Sequence, residues 1–174
     1  KLTLFSIPDI QGIVKKAVVE KLKETYHVSW FSEDGPRYPI YVFLYKDVAQ
    51  IYIDTSGHSL HKRGYRQEKN IAPIKETLAF AMVALTPWRE DRFLIDPMCG
   101  SGTILIEAAL LGINKAPGLQ SRFLAETWQN LPPALWRQAR EEAEDCINRK
   151  ASFLLQGYDI DSKVLEAARQ NAAA

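Results

Sequence analysis

The segment 93–112, FLIDPMCGSGTILIEAALLG, constrains the fold of this chain more than any other stretch. Its first residues, Phe93 to Ile95, form a short apolar run that predicts a buried strand. Pro97 has no amide hydrogen, so the strand ends before it. Gly100 and Gly102 permit a tight turn, and the apolar spacing after them predicts a helix. A strand, a glycine turn and a helix in this order direct backbone amides and a helix N-terminus toward a ligand.

Two common ligand motifs do not fit this turn. A phosphate-binding P-loop, G-x-x-x-x-G-K-[ST], needs a lysine directly after its second glycine, and no lysine follows Gly102. A dinucleotide fingerprint, G-x-G-x-x-G, needs a third glycine, but Leu105 occupies that position. A plain strand-to-helix connector with no ligand is the alternative for any such turn.

The string DPMCGSGT at 96–103 resembles the S-adenosylmethionine motif of class I methyltransferases that modify amino groups of nucleic-acid bases. The longer string DPMCGSGTILIEAALLGINKAPGL, at 96–119, is similar to the THUMP-containing bacterial rRNA guanine-N2 methyltransferases, a family often named as N6-adenine-specific DNA methylases. The resemblance implies S-adenosyl-L-methionine as the cofactor. The turn residues that it implies as cofactor-binding are Asp96, Pro97, Cys99, Gly100, Ser101, Gly102 and Thr103.

A second acidic position follows the next predicted strand. The apolar run 153–155 leads into GYDID at 157–161. A carboxylate at the end of this strand can accept hydrogen bonds from both hydroxyls of a ribose. In the resembled family the first acid of G-x-D-I-D holds the ribose and the next apolar residue packs on the adenine, which implies these roles for Asp159 and Ile160. Asp161 is predicted to cap the following helix, and capping by both aspartates is the alternative.

The N-terminal part predicts a helix and a β-hairpin. Residues 1–7 fit a strand, and Pro8–Asp9 opens a helix with Asp9 as its cap. Alternating runs within 40–53 flank Lys46–Asp47, which predicts a hairpin with its turn at these two residues. This helix and hairpin resemble the C-terminal half of a THUMP domain, an RNA-binding module of these enzymes.

The segment 54–66, DTSGHSLHKRGYR, joins this hairpin to the next predicted helix. His58 and His61 lack a third ligand nearby, so no metal site is predicted. Basic side chains can bind phosphates and an aromatic ring can stack on a base, so the basic and aromatic residues of this segment predict RNA contacts. A purely structural junction is an equal alternative. The residues predicted to contact RNA are Lys62, Arg63, Tyr65 and Arg66.

Helical spacing predicts two further helices. The first begins at Ala72–Pro73, and the resemblance implies that its N-terminal end closes over the methionine part of the cofactor. Its predicted buried face consists of Ile74, Leu78, Ala81, Met82 and Leu85. The second begins at Pro132–Pro133 and extends to about Arg149, and Trp128 and Trp136 are predicted to be packing anchors.

Composition limits the classes of function. A net charge of +1 gives no global attraction to nucleic acid, so an RNA-binding surface must be a local patch. Cys99 and Cys146 have no metal-ligand spacing and predict a reducing, cytoplasmic setting. No apolar run is long enough to span a membrane, so no membrane partner is predicted.

Together these patterns predict an α/β chain in three parts. The resemblance implies a partial THUMP-like RNA-binding domain of α+β type at 1–56, a junction at 57–70, and the N-terminal portion of a Rossmann-like class I methyltransferase sheet at 71–174. The catalytic [DN]-P-P-[YF] motif of amino methyltransferases has no match in the sequence. No catalytic residue is therefore assigned, and the chain is expected to be an incomplete catalytic unit of a longer enzyme.

The resemblance implies the reaction and the RNA partner. The expected activity is transfer of a methyl group to the exocyclic N2 amine of a guanine in 23S ribosomal RNA. The alternatives are an adenine-N6 DNA methyltransferase and a non-catalytic RNA-binding module. A nicotinamide enzyme is disfavoured because the third glycine of its fingerprint is missing.

Overall fold

The computed structural model describes residues 6–66 and 73–174 of the chain. Helices and strands alternate in the mixed α/β order expected from the sequence. The elements in chain order are α1 (Ile7–Tyr26), β1 (Ile40–Tyr45), β2 (Val48–Ile53), α2 (Glu76–Ala84), β3 (Leu94–Asp96), α3 (Thr103–Gly112), a 3-10 helix (Leu124–Thr127), α4 (Pro133–Asp145), β4 (Leu155–Gly157) and α5 (Ser162–Ala173). Among the described residues, no helix is both long and apolar enough to cross a lipid bilayer.

The N-cap of helix α1 lies three residues earlier than the sequence predicts. Ser6 is its N-cap, and Asp9 lies inside the first turn instead of capping the helix. The prediction of Asp9 as the cap is therefore wrong, although an acidic side chain in the first turn still complements the helix dipole. The strand expected at 1–7 falls mostly outside the described residues, and Ile7 is already helical.

The β-hairpin forms where predicted. Strands β1 and β2 pair antiparallel, from Ile40 opposite Ile53 to Tyr45 opposite Val48. Lys46 and Asp47 form the two-residue turn, with φ of 49° and 59°. Positive φ at both central residues is typical of the type I′ turn, whose twist suits a tight hairpin.

Strands β3 and β4 form a parallel pair that places the ends of both strands at one edge. Asp96 lies opposite Gly157 in the register. Beyond the strands, the Tyr158 amide donates to the Asp96 carbonyl (2.9 Å) and the Cys99 amide donates to the Tyr158 carbonyl (2.8 Å). The glycine turn after β3 and the acidic segment after β4 therefore meet, as is usual for ligand sites of parallel sheets.

Helix α2 buries a different face from the one that periodicity predicts. It begins at Glu76, after Pro73, packs against α3, and buries Glu76, Ala79 and Val83. Three residues of the predicted buried face are exposed in this chain, namely Leu78, Met82 and Leu85. The charge of the buried Glu76 is balanced by Arg66, whose Nε lies 3.4 Å from Glu76 Oε1.

The segment between α3 and α4 joins the N-terminal part to the cofactor part. The Leu124 amide donates to the Ser56 carbonyl (3.1 Å) and the Ala125 amide to the Thr55 carbonyl (3.0 Å). Trp128 is buried, confirming its predicted role as a packing anchor. A ring stack links Phe123 and Trp136, with centroids 5.8 Å apart, so Trp136 also packs as predicted. Helix α4 begins at Pro133, close to the predicted start, but ends at Asp145, before Arg149.

Gly157 at the end of β4 has no room for a side chain. A Cβ atom there would lie 2.7 Å from Leu105 Cδ1 and 2.8 Å from Cys99 Sγ. We expect Gly157→Ala to lower the free energy of unfolding by about 1–3 kcal/mol in urea denaturation, because the neighbours must move apart. Gly12→Ala is the matched control. Gly12 lies inside α1 with no described atom within 4 Å of an added Cβ, so its replacement should add about 0.5–1 kcal/mol. Equal effects at the two positions would contradict this packing account.

Candidate functional site

The turn after β3 needs glycine at two positions. Gly100 has a φ of 52° and Gly102 has a φ of 80°, and residues that carry a side chain rarely adopt such positive values. Gly102 is the N-cap of α3, and its amide donates to the Cys99 carbonyl (2.8 Å). An added Cβ at Gly100 would meet no described atom within 4 Å, so open space lies above this part of the turn. The tight turn predicted from the sequence is confirmed.

Asp159 crosses from β4 to this turn. Its Oδ2 accepts a hydrogen bond from the Gly100 amide (2.9 Å), and its Oδ1 accepts one from the Asp161 amide (3.0 Å). The bonds from the Asp161 and Gly100 amides hold the pKa of Asp159 below its ordinary value. The carboxylate is therefore ionised at neutral pH and has lone pairs left to accept further hydrogen bonds.

The two residues after Asp159 have separate environments. Ile160 is fully exposed, so its apolar side chain is open to a flat ligand ring. Asp161 caps α5 by accepting from the Lys163 amide (2.8 Å), which confirms its predicted role. Only one of the two aspartates therefore caps the helix.

The residues at the start of the turn serve mainly to shape it. Asp96 Oδ1 accepts from the Met98 amide (3.1 Å), and Pro97 is exposed where β3 ends. Cys99 is buried; burial, with the nearby Asp96 and Asp159 carboxylates, raises the pKa of its thiol. A protonated, buried thiol is a packing group and a poor nucleophile.

Ser101 and Thr103 are buried at the N-terminal end of α3. The Ser101 carbonyl accepts from Asn171 Nδ2 (3.2 Å), which ties the turn to α5. Ser101 Oγ is buried without a hydrogen-bond partner among the described residues. Thr103 Oγ1 accepts from Arg66 Nη2 (3.0 Å), so this predicted cofactor residue already bonds to the junction.

Three of the four residues predicted to contact RNA bond within the protein. Tyr65 donates to Glu107 Oε1 (3.1 Å), and Arg63 Nη2 lies 3.5 Å from Glu107 Oε2. Arg66 bonds to Thr103 as above, whereas Lys62 is exposed. These contacts match the structural-junction alternative for the three inward-facing residues, and their contact with RNA stays a prediction.

Glu107 is the residue that sequence reasoning missed. Its side chain is 1% exposed, and the only charged residue of α3 thus lies in the interior. Burial raises the pKa of Glu107, while the neighbouring Arg63 and Tyr65 oppose this shift. Burial and the Glu107 carboxylate in turn raise the pKa of Tyr65. A glutamate within the otherwise apolar helix TILIEAALLG was the available signal, since such a charge must be paired if it is buried.

The site has the chemistry for a polar organic ligand. It combines an ionised carboxylate, an open glycine turn at a helix N-terminus and an exposed apolar side chain at Ile160. Within 6–66 and 73–174, no cluster of three or more His, Cys, Asp or Glu side chains is arranged to hold a metal ion.

Two family models match this chain. A model of the THUMP domain matches residues 1–54. A model described as RMKL-like, methyltransferase domain matches residues 63–174.

Known proteins match over nearly the whole chain. "Putative RNA methyltransferase YpsC" of Bacillus subtilis (strain 168) is 49% identical over 174 residues, which cover 99% of this chain and 45% of YpsC. The crystal structure named for a "predicted N6-adenine-specific DNA methylase" of Listeria monocytogenes str. 4b F2365 is 49% identical with a TM-score of 0.89. The structure of SMU.472 complexed with SAH is 44% identical with a TM-score of 0.88.

These matches confirm the expected order of a THUMP-type N-terminus followed by part of a Rossmann-like methyltransferase sheet. Each of the two structural matches covers 98% of this chain and 45% of the chain in the solved structure. This chain therefore spans a little under half of the length of the relatives that it matches. By its sequence match and its fold, the chain belongs to the RMKL-like methyltransferase domain family.

Proposed function

We propose that this chain forms the cofactor-binding side of an RNA methyltransferase that uses S-adenosylmethionine. The pairing of Asp159 with the Gly100 amide supports this most directly, because it brings an ionised acceptor to an open glycine turn. The complex of SMU.472 with SAH supports the choice of ligand, since SAH is the product left when S-adenosylmethionine donates its methyl group.

The residues present fit this cofactor. Asp159 would accept from the ribose hydroxyls, and Ile160 would cover the adenine. The positive end of the α3 dipole and the glycine turn would receive the methionine carboxylate. The cofactor residues proposed in the turn are Asp96, Pro97, Cys99, Gly100, Ser101, Gly102 and Thr103, with Cys99 acting through the shape of the turn. When bound, S-adenosylmethionine supplies an electrophilic methyl group on a sulfonium centre.

The proposed acceptor is the N2 amine of a guanine in 23S ribosomal RNA. A THUMP match at 1–54 and the RNA methyltransferase name of YpsC support RNA as the substrate class. The guanine and the ribosomal source follow from the family resemblance of the string at 96–119. Exposed Lys62 is the proposed RNA contact of the junction, and the proposed site of action is the cytoplasm.

The chain's own residues have a limited part in the proposed reaction. They would hold the methyl donor in a fixed position, which removes much of the entropic cost of bringing donor and acceptor together. The amine of guanine is a weak nucleophile because its lone pair is delocalised, so it needs hydrogen-bond acceptors that orient it. No such acceptor is assigned to this chain, since the [DN]-P-P-[YF] motif has no match in it.

An adenine-N6 DNA methyltransferase is the second candidate, favoured by the name of the Listeria structure. A test would offer radiolabelled S-adenosylmethionine and the full-length protein to unmodified ribosomal RNA, transfer RNA and DNA in separate reactions. Label recovered as N2-methylguanosine from 23S ribosomal RNA is the expected result. Label in DNA alone would overturn the proposal in favour of the second candidate. Absence of both label and cofactor binding would indicate a non-catalytic RNA-binding module.

A further inference from the structure

Two arginines of the junction contact α3 at different distances from the glycine turn. Arg66 Nη2 donates to the hydroxyl of Thr103 (3.0 Å), which is the first residue of the helix. Arg63 Nη2 lies 3.5 Å from the carboxylate of Glu107, one turn further along. Because Thr103 directly follows the turn, Arg66 bonds to the end of α3 that carries the candidate site, whereas Arg63 does not.

Arg66 also contacts the beginning of α2. The same Nη2 donates to the Ile74 carbonyl (2.5 Å), two residues before the helix. Its Nε lies 3.4 Å from Oε1 of Glu76, the first residue of α2. One guanidinium nitrogen therefore has both the approach to α2 and the first residue of α3 within hydrogen-bond distance. The planar, rigid guanidinium suits such a bridge better than a flexible ammonium group.

Four buried side-chain atoms have no hydrogen-bond partner among the described residues, namely Ser101 Oγ, Glu76 Oε2 and the Nε atoms of Arg63 and Arg66. Ser101 belongs to the glycine turn, and Glu76 faces Arg66 through its other oxygen. Buried polar atoms are normally hydrogen-bonded, so each one left without a partner calls for an explanation. At a helix N-terminus, a polar ligand that supplies the missing bonds is a direct explanation.

We propose that Arg66 is a positioning residue for the cofactor. By bridging Ile74 and Thr103, it sets the separation between the start of α2 and the glycine turn, where the methionine end of S-adenosylmethionine would bind. Arg66 acts through the groups that it holds, without touching the reacting atoms. The inference rests on the proposed function, because it specifies how that cofactor is held.

The test compares Arg66→Gln with Arg63→Gln in the full-length protein. Both substitutions remove a guanidinium of the junction that faces a buried carboxylate, so both should lower Tm. Only Arg66→Gln should weaken binding of S-adenosylmethionine and SAH in calorimetry. The expected loss of affinity is about 10- to 100-fold, the range typical for residues that orient metal-binding side chains through hydrogen bonds. For Arg66→Gln at saturating cofactor, kcat should stay near the wild-type value, whereas the KM for the cofactor should rise.

Arg66→Lys tests the bridge when Arg66→Gln folds poorly. Lysine keeps the charge beside Glu76 but cannot present the same rigid fork, so Tm should recover more fully than cofactor affinity. Equal losses of affinity in Arg66→Gln and Arg63→Gln, in proportion to their losses of Tm, would overturn the proposal.

Hydrogen exchange provides a measurement that needs no cofactor. Arg66→Gln should speed exchange of the amides at 76–79 and 99–103, whereas Arg63→Gln should leave these two segments unchanged. Unchanged exchange there in Arg66→Gln would also overturn the proposal. A wild-type protein that binds no S-adenosylmethionine would overturn the proposed function, and the exchange data would still decide whether Arg66 holds the two segments together.

Discussion

Asp159→Ala should weaken binding of S-adenosylmethionine by about 100-fold, since hydrogen bonds to a charged group contribute about 1.5–3 kcal/mol each. The substitution removes the proposed acceptor of the ribose hydroxyls. It also leaves the Gly100 amide without the hydrogen bond that it donates to Asp159 Oδ2 (2.9 Å) in the unsubstituted protein. Isothermal titration calorimetry of the full-length protein with S-adenosylmethionine and with SAH would measure the loss.

Asp161→Ala is the matched control for Asp159→Ala. Asp161 caps α5 through the Lys163 amide, so its loss should cost about 1 kcal/mol of stability and leave cofactor affinity within twofold. Equal losses of affinity in the two variants would show that Asp159 supports only the fold of this segment.

The lowered pKa of Asp159 fixes the direction of the pH dependence. The pKa of Asp159 is lower in the folded protein than in the unfolded chain, where it is near 3.9. The stability that this carboxylate contributes is therefore fully present above the unfolded pKa and is lost as the pH falls through the folded pKa. Cofactor affinity that depends on the ionised form should therefore stay constant from about pH 8 to about pH 5. A loss of affinity centred near pH 6 would contradict this assignment and indicate a different titrating group.

Trp128→Ala should lower the free energy of unfolding by about 3–5 kcal/mol, as is typical for loss of a buried aromatic side chain. The Trp128 ring stacks on Tyr38 with centroids 4.8 Å apart, and its Nε1 donates to the Arg37 carbonyl (2.9 Å). These contacts join the N-terminal part to the segment before α4. We therefore expect urea denaturation of the variant to separate into two transitions, with faster hydrogen exchange in β1 and β2.

Two further variants identify the source of this effect. Trp128→Phe keeps a ring against Tyr38 but leaves the Arg37 carbonyl without its donor, so about 1 kcal/mol should be lost. Trp136→Ala removes the stack with Phe123, which lies within the cofactor part, and should leave exchange in the hairpin unchanged. A single transition for Trp128→Ala, with unchanged exchange in β1 and β2, would mean that this tryptophan does not hold the two parts together.

The sequence by itself determined the local features of the site. Proline after Asp96, glycine at 100 and 102, and the switch to helical spacing predicted the strand, the turn and α3. The two-residue hairpin turn and the capping role of Asp161 were also predictable. In each case the residues that decide the structure are neighbours in the chain, so backbone preferences and short-range hydrogen bonds suffice.

The tertiary structure alone decided which charged and apolar side chains face inward. Tyr65 bonds to Glu107 across 42 positions, and Arg66 bonds to Thr103 across 37, so no local pattern records these partners. Cationic and aromatic residues in a polar segment predict RNA contacts, but that pattern does not predict the bonds that Arg63, Tyr65 and Arg66 make within the protein. The exposed Leu78 on α2 has the same origin, because periodicity identifies the apolar face of a helix but not the neighbour against which it packs. Burial of a charge is favourable only when a partner compensates its desolvation, and the fold brings that partner from elsewhere in the chain.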